Sequence, residues 1–193
     1  MQPLHRDDLW SLEEYATERE AFRQKIRGHK KNRYVFVGDH MTFTFEDRLT
    51  IQYQVQEMLR IEKIFEPSDI EDELSAYNPL IPDGTNLKAT LMIEYEDVEE
   101  RRKALARLAR VEDTIYLQVE GHEKVVPYAN EDLERSTDDK TSAVHFMRFE
   151  LTDDMIAALK SGSGLTLGVT HPEYSHSATV PDNVRESLVA DFD

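Results

Sequence analysis

The chain has 193 residues and a formal net charge of −16, from 39 acidic and 23 basic side chains. This length is typical of a single domain, and 8 Phe, 8 Tyr and 1 Trp supply enough aromatic side chains for a core. The absence of cysteine excludes a disulfide scaffold, a Cys-ligated zinc or iron–sulfur site, and thiol catalysis.

The N-terminal sequence and the hydropathy indicate a cytoplasmic protein without a membrane segment. The first residues lack the apolar stretch of a secretory signal, and the acidic pair Asp7 and Asp8 is atypical of a transit peptide. No apolar run approaches the ~20 residues that a membrane-spanning helix needs.

Basic residues are concentrated between residues 19 and 33, which we call the basic segment. It holds seven Lys or Arg residues and one acid, Glu20, so it carries a local +6 while the other 178 residues carry −22. The overall negative charge disfavours nucleic-acid binding. The basic segment is either a local anion or partner site or a solvated helix face that offsets the acidic body.

The first 33 residues are predicted to form a helical arm in two pieces. Tyr15, Phe22 and Ile26 lie on an apolar stripe at helical spacing, and Gly28 is expected to end that helix. Trp10 is expected to anchor the arm on the body of the protein.

Periodicity and turn residues predict the remaining helices and strands. Pro67 is expected to end one helix, Ser68 and Glu71 to cap the next, and Val98 to face inward from a later one. In chain order, these elements are a hairpin at 34–37 and 41–45, helices at 51–65 and 69–77, a strand at 87–95, a helix from 97 to about 110, a hairpin at 115–120 and 124–128, a strand at 143–151, a helix at 153–160, a strand at 165–170, and a terminal helix from 182.

This order of elements predicts one α+β domain over residues 1–193. Hairpins require antiparallel pairs, so we expect a mostly antiparallel mixed sheet of about seven strands with helices packed on it. The helical arm (1–33) precedes the body (34–170), and a polar C-terminal extension (171–193) carries the terminal helix.

Histidines near the C-terminus are candidates for a metal site. His171 and His176, with His145 and the acids Glu150 and Glu173, supply imidazole and carboxylate ligands. Their spacing matches no strong motif. If the helix at 153–160 is a crossover, the strands carrying His145 and His171 run parallel, and the two histidines lie at opposite edges of the sheet.

A second candidate site spans the polar connector 134–142 and the strand after it. The connector offers hydroxyls, acids and Lys140, and loops often carry sites. On the strand, His145 lies on one face, and Arg148 and Glu150 lie on the other. The charged pair is either a cross-strand salt-bridge network or the floor of a pocket for an ionic ligand.

Phosphate-binding motifs are absent, and no motif identifies a cofactor. Four runs of the chain, residues 53–62, 76–89, 97–102 and 134–146, resemble a bacterial family known only as a domain of unknown function. This resemblance covers nearly the whole chain. It implies genes that lie near those for rubrerythrin-like and heterodisulfide-reductase-like iron–sulfur proteins, and hence an accessory role in a bacterial redox or peroxide-stress pathway.

Two hypotheses for function follow. The first is a non-catalytic accessory or interaction protein, whose acidic body and basic segment contact protein partners of a redox pathway or further copies of the chain. The alternative is a small-molecule-binding or metal-dependent enzyme or sensor that uses the 136–150 region. Its candidate ligand-binding residues are Lys140, His145, Arg148 and Glu150, and its candidate metal ligands are His171 and His176.

Overall fold

The computed structural model describes residues 1–192, which form six α-helices and nine β-strands. The helices are α1 (Leu12–Lys30), α2 (Arg48–Glu62), α3 (Pro67–Tyr77), α4 (Val98–Arg107), α5 (Asp153–Lys160) and α6 (Asp182–Val189). The strands are β1 (Tyr34–Val37), β2 (Met41–Glu46), β3 (Asn86–Ile93), β4 (Ile115–Val119), β5 (Lys124–Val125), β6 (Tyr128–Ala129), β7 (Val144–Glu150), β8 (Leu165–His171) and β9 (Tyr174–Thr179).

The strands form two antiparallel sheets. The five-stranded sheet has the order β1-β2-β3-β7-β6, and the four-stranded sheet has the order β5-β4-β8-β9. The predicted α+β class and antiparallel pairing are confirmed. The expectation of one sheet is corrected, because β7 and β8 belong to different sheets.

The main hydrophobic core lies between the two sheets. Phe43 and Leu91 face it from the larger sheet, and Leu117 and Leu167 face it from the smaller one. Strict alternation over β3 buries one face of that strand, as its sequence predicts. Apolar side chains of α5 and α6 join the same core, so the described residues form a single domain.

The N-terminal arm packs on α2. Ser11 and Glu14 form a capping box that starts α1, and Tyr15 is fully buried beside Trp10. Arg19 of the basic segment pairs with Glu57 of α2 at 2.7 Å. The arm is therefore tied to the body by both aromatic packing and an ion pair.

Four local expectations are wrong. Gly28 does not end α1, which continues to Lys30; glycine within a helix costs only about 1 kcal/mol. Pro67 does not terminate a helix but occupies the first turn of α3, where proline's missing N–H has no helical partner to lose. Ser68 therefore lies inside that turn and does not cap the helix with Glu71, since the cap position is Glu66. Val98 is 62% exposed rather than inward.

The predicted C-terminal extension is part of the sandwich. Its polar stretch forms β9, which pairs with β8. Tyr174 of β9 donates its hydroxyl to the Val37 carbonyl at 2.7 Å and accepts from the His40 N–H at 3.0 Å, which locks the β1–β2 hairpin. The last predicted position, residue 193, lies outside the described residues.

The second strand of the hairpin predicted at 115–120 and 124–128 is divided between the two sheets. β5 pairs with β4, but the chain then crosses over, and β6 pairs with β7 in the other sheet. This crossover places Tyr128 opposite Arg148. No helix within residues 1–192 is long and apolar enough to cross a bilayer.

Candidate functional site

A row of polar side chains crosses the outer face of the five-stranded sheet. Glu46 on β2 lies opposite Lys88 on β3. Lys88 in turn lies opposite Arg148 on β7, and Arg148 lies opposite Tyr128 on β6. Residues directly opposed in antiparallel strands share one face of the sheet. The register therefore sets an acid, two cations and a phenol side by side.

A cavity of about 430 Å³ lies over this row. The sheet forms its floor, and α2, α3 and the turn after α3 form its walls. The wall side chains are largely apolar; they include Met58, Ala76, Tyr77, Pro79 and Leu80, and Phe146 adds an aromatic ring on the floor. Apolar walls with a few polar groups, in a volume of roughly 300–1,000 Å³, are typical of sites for small organic molecules.

Glu46 is the deepest charged group of the cavity, with only 3% of its surface exposed. Its Oε1 accepts a hydrogen bond from the Thr90 hydroxyl at 2.8 Å. Its Oε2 accepts one from the Thr50 hydroxyl at 2.6 Å and one from the Gln54 amide at 3.3 Å. Thr50 and Gln54 lie in the first two turns of α2, so the start of that helix holds the carboxylate in place.

Arg33 fixes the backbone that carries Glu46. This residue of the basic segment is 1% exposed, and its guanidinium forms a bidentate pair with Asp191, the shorter contact being 2.6 Å. It also donates to the carbonyls of Phe45 and Glu46, each at 3.0 Å. Arg33 is thus an internal anchor, unavailable to the partner or anion site that the sequence predicts for the basic segment.

Lys88 is half-buried beside Glu46 but turns away from it. Its Nζ donates to the Pro79 carbonyl at 2.6 Å, and within residues 1–192 it has no salt bridge. Burial lowers the pKa of Lys88, and the nearby carboxylates of Asp83 and Glu131 oppose that shift only in part. The ammonium group therefore has carboxylates nearby, but within residues 1–192 none is within salt-bridge distance.

Arg148, in contrast, is fully paired. Its Nε and one terminal nitrogen donate to Glu131 at 2.8 and 2.6 Å, and its other terminal nitrogen donates to Glu150. The guanidinium also lies 4.3 Å from the centre of the Tyr128 ring. The salt-bridge network predicted for this strand is present, and Arg148 also lines the cavity.

Acidic groups outnumber basic ones around the cavity. Glu73 of α3 lines it, and burial raises the pKa of this carboxyl, with a further contribution from Glu62 and Asp72. The charged lining residues are Glu46, Glu73, Glu131, Asp132, Lys88 and Arg148.

His145 lies in the core and does not line the cavity. Asn130 Oδ1 accepts from the Phe146 N–H at 3.2 Å, so the Asn130 amide donates to His145 Nδ1 at 2.9 Å. The proton is then on Nε2, which faces the Ser142 carbonyl at 3.0 Å and the Thr141 hydroxyl at 2.9 Å. Burial lowers the pKa of His145. With both nitrogens bonded, this ring holds the preceding loop in place.

The predicted loop site, residues 134–142, is an ordered turn packed on α4. Ser136 and Thr141 form a β-bridge, and their hydroxyl oxygens are 2.7 Å apart. The Thr141 N–H donates to the Leu105 carbonyl at 2.9 Å, which joins the loop to the helix. Lys140 lies in a separate cleft between this loop and α4, so the structure does not bring it to the cavity of Arg148.

The two predicted metal ligands are not part of a donor set. The buried ring of His171 donates from Nε2 to the Ala109 carbonyl and accepts at Nδ1 from the Glu173 N–H, each at 3.2 Å. His176 is exposed on β9, with its ring 4.5 Å from that of Tyr174. Within residues 1–192, no three His, Asp or Glu side chains are grouped to hold a metal ion.

Sequence reasoning missed two of the three charged residues at the floor of the cavity, Glu46 and Lys88. Lys88 marks the polar half of the alternation in β3, and Glu46 follows an amphipathic strand, so each reads as an ordinary solvent-facing residue. No pattern in the sequence marks them, because the burial of this face depends on how α2 and α3 pack over it, which the spacing of residues does not reveal.

Comparison with known proteins identifies relatives over the whole chain. A family model described as "Protein of unknown function (DUF3501)" matches residues 3–192. A protein of unknown function from Burkholderia pseudomallei K96243, known from a crystal structure, is similar over 100% of both chains, with 51% sequence identity and a TM-score of 0.95. No curated protein matches. These matches confirm the resemblance inferred from the sequence.

Proposed function

Because the chain belongs to the DUF3501 family, whose description assigns no activity, we propose a function from the structure itself: the protein binds a small organic molecule in the cavity beneath α2 and α3. The observation that carries this proposal is a cavity of about 430 Å³ with apolar walls over a charged floor. Glu46 and Lys88 are held there by neutral groups and have no salt bridge within residues 1–192.

The proposal develops the second of the two hypotheses from the sequence and relocates its site. Of the predicted ligand-binding residues, Arg148 lines the cavity, and Glu150 supports it by pairing with Arg148. His145 and Lys140 lie elsewhere. A protein of this kind can act as a sensor or carrier, and the accessory role in a cytoplasmic redox pathway remains a prediction about the setting in which it works.

A blocking substitution tests the proposal. Ala76 is an exposed residue of α3 whose side chain lines the cavity, so Ala76→Trp is expected to fill the cavity without disturbing the core. Ser75→Trp is the matched control, because Ser75 is also exposed on α3 but does not line the cavity.

The measurement is native mass spectrometry of protein purified from cells, followed by a thermal-shift screen against a metabolite library. We expect wild type and S75W to retain or bind the same molecule and A76W to lose it. The proposal would be contradicted if A76W bound the molecule as tightly as wild type does. It would also be contradicted if no compound bound to wild type in either assay.

A further inference from the structure

Two opposite charges on the floor of the cavity, Glu46 and Lys88, are adjacent but do not form a salt bridge. Glu46 and Lys88 are directly opposed across β2 and β3, an arrangement that ordinarily brings opposite charges into a cross-strand pair. Instead, each charge is directed to neutral groups, the Thr50 and Thr90 hydroxyls for Glu46 and the Pro79 carbonyl for Lys88.

Both groups keep unused hydrogen-bonding capacity. A carboxylate offers about four lone-pair sites. Glu46 uses three of them, for two hydroxyls and the Gln54 amide. An ammonium group has three donors, and Lys88 uses one, toward Pro79. Glu46 can therefore accept one more hydrogen bond, and Lys88 can donate two more, without breaking a contact that either already makes.

Arg148 does not compete for an anionic ligand group. Its charge is balanced by Glu131 and Glu150, both in direct contact with it. Lys88 is then the available cation of the cavity, and Glu46 is its most deeply buried anion. A ligand with a single charge would satisfy one of these two groups and leave the other unpaired in a partly desolvated site.

We propose that the cavity binds a zwitterion of the α-amino-acid type with an uncharged side chain. Its ammonium group would pair with Glu46 and its carboxylate with Lys88, and its side chain would lie among Met58, Tyr77 and Leu80. This inference rests on the proposed function and specifies its ligand class.

Three probes that differ by one charged group test the ligand class. L-Phenylalanine carries both charges, 3-phenylpropionate lacks the ammonium group, and 2-phenylethylamine lacks the carboxylate. By isothermal titration calorimetry, we expect L-phenylalanine to bind at least about tenfold more tightly than either of the others, since a charged hydrogen bond is lost in each case.

Two substitutions assign the two ends of the ligand. Glu46→Gln is expected to weaken the binding of L-phenylalanine and 2-phenylethylamine by about tenfold and to leave the binding of 3-phenylpropionate unchanged. Lys88→Met is expected to weaken the binding of L-phenylalanine and 3-phenylpropionate and to leave the binding of 2-phenylethylamine unchanged. Lys140→Met removes the same charge outside the cavity and should change none of the three. Circular dichroism melts establish that each variant is folded, and either variant alone is sufficient for the test.

The zwitterion assignment is overturned if L-phenylalanine does not bind, if one of the half-charged probes binds as tightly as it does, or if E46Q and K88M weaken binding of the same half-charged probe. Failure of the proposed function gives a different result, in which no compound of the library binds wild type in a way that A76W abolishes. A third outcome is that a neutral library compound binds wild type but not A76W, while no amino acid binds. The cavity would then still be a binding site, and only the proposed ligand class would be refuted.

Discussion

The buried pair of Arg33 and Asp191 makes a quantitative prediction about stability. Both side chains are at most 2% exposed, and two hydrogen bonds of 3.1 and 2.6 Å join them. Asp191→Asn preserves the size of the side chain but removes the negative charge. Arg33 would then be a buried cation whose nearest remaining carboxylate, Asp47, is 3.8 Å away. Removing one partner of a buried pair costs about 3–5 kcal/mol in the free energy of unfolding.

Urea denaturation and thermal melts measure this loss. For a chain of this size, each kcal/mol lowers the melting temperature by about 2–4 °C, so D191N is expected to melt about 6–20 °C below wild type. Asp182→Asn is the control, because Asp182 is an exposed acid in the first turn of α6, where its i,i+3 pair with Arg185 should cost less than about 1 kcal/mol to lose. A D191N variant within about 1 kcal/mol of wild type would refute the view that Arg33 depends on this partner.

Three further predictions concern pH dependence and backbone strain. Hydrogen bonds from Arg19 and Tyr15 lower the pKa of Glu57 from 4.5 to about 2, so this carboxylate stabilises the fold above its unfolded pKa. That contribution is lost as the pH falls from about 4.5 to 2. Over this range the free energy of unfolding of Glu57→Gln, measured by urea titration, should therefore fall less than that of wild type. Parallel curves of unfolding free energy against pH for the two proteins would disprove this role of Glu57. Burial lowers the pKa of His145 below 6.5, so the unfolded chain binds the extra proton more readily and folding weakens as the pH falls below 6.5. The difference in unfolding free energy between wild type and His145→Gln should therefore narrow between pH 7 and 5, and a constant difference would count against this assignment. Gly38 and Gly121 both have positive φ, but a Cβ on Gly38 would lie 2.4 Å from the Tyr174 hydroxyl while Gly121 faces open space. Gly121→Ala should cost about 1–2 kcal/mol for the left-handed backbone and Gly38→Ala about 1–3 kcal/mol more for the clash, and equal thermal melts of the two variants would exclude that clash.

The fold places the proposed site on an unusual surface. The inner face of the five-stranded sheet is apolar and contributes to the core, whereas its outer face carries hydroxyls and charges and is nevertheless partly covered by α2 and α3. Covering a polar surface costs free energy unless its groups are paired. Glu46 is satisfied by hydroxyls and an amide, and within residues 1–192 no cation lies within salt-bridge distance of it.

Much of the local structure is determined by the sequence itself. α5 spans the residues that its Thr152 cap and apolar spacing predict, and the alternation in β3 identifies its buried face. The hairpin at Gly38 makes antiparallel pairing, and hence the α+β class, predictable. These features depend on interactions between residues close in sequence, which periodicity and capping chemistry report directly.

The site depends on interactions between residues distant in sequence. A period-2 pattern shows that Lys88 points away from the core, but the register between strands determines that Glu46 on one side and Arg148 on the other are its neighbours. The polar stretch that forms β9 has no apolar alternation to mark it as a strand. It is a strand because its backbone pairs with β8, which the sequence does not show. The sequence likewise places His145 on one face of β7 and Arg148 on the other, but only the packing of the second sheet determines that the face with His145 is buried. Local chemistry therefore determined the elements of this protein, and tertiary packing decided which of their charged groups meet in one cavity.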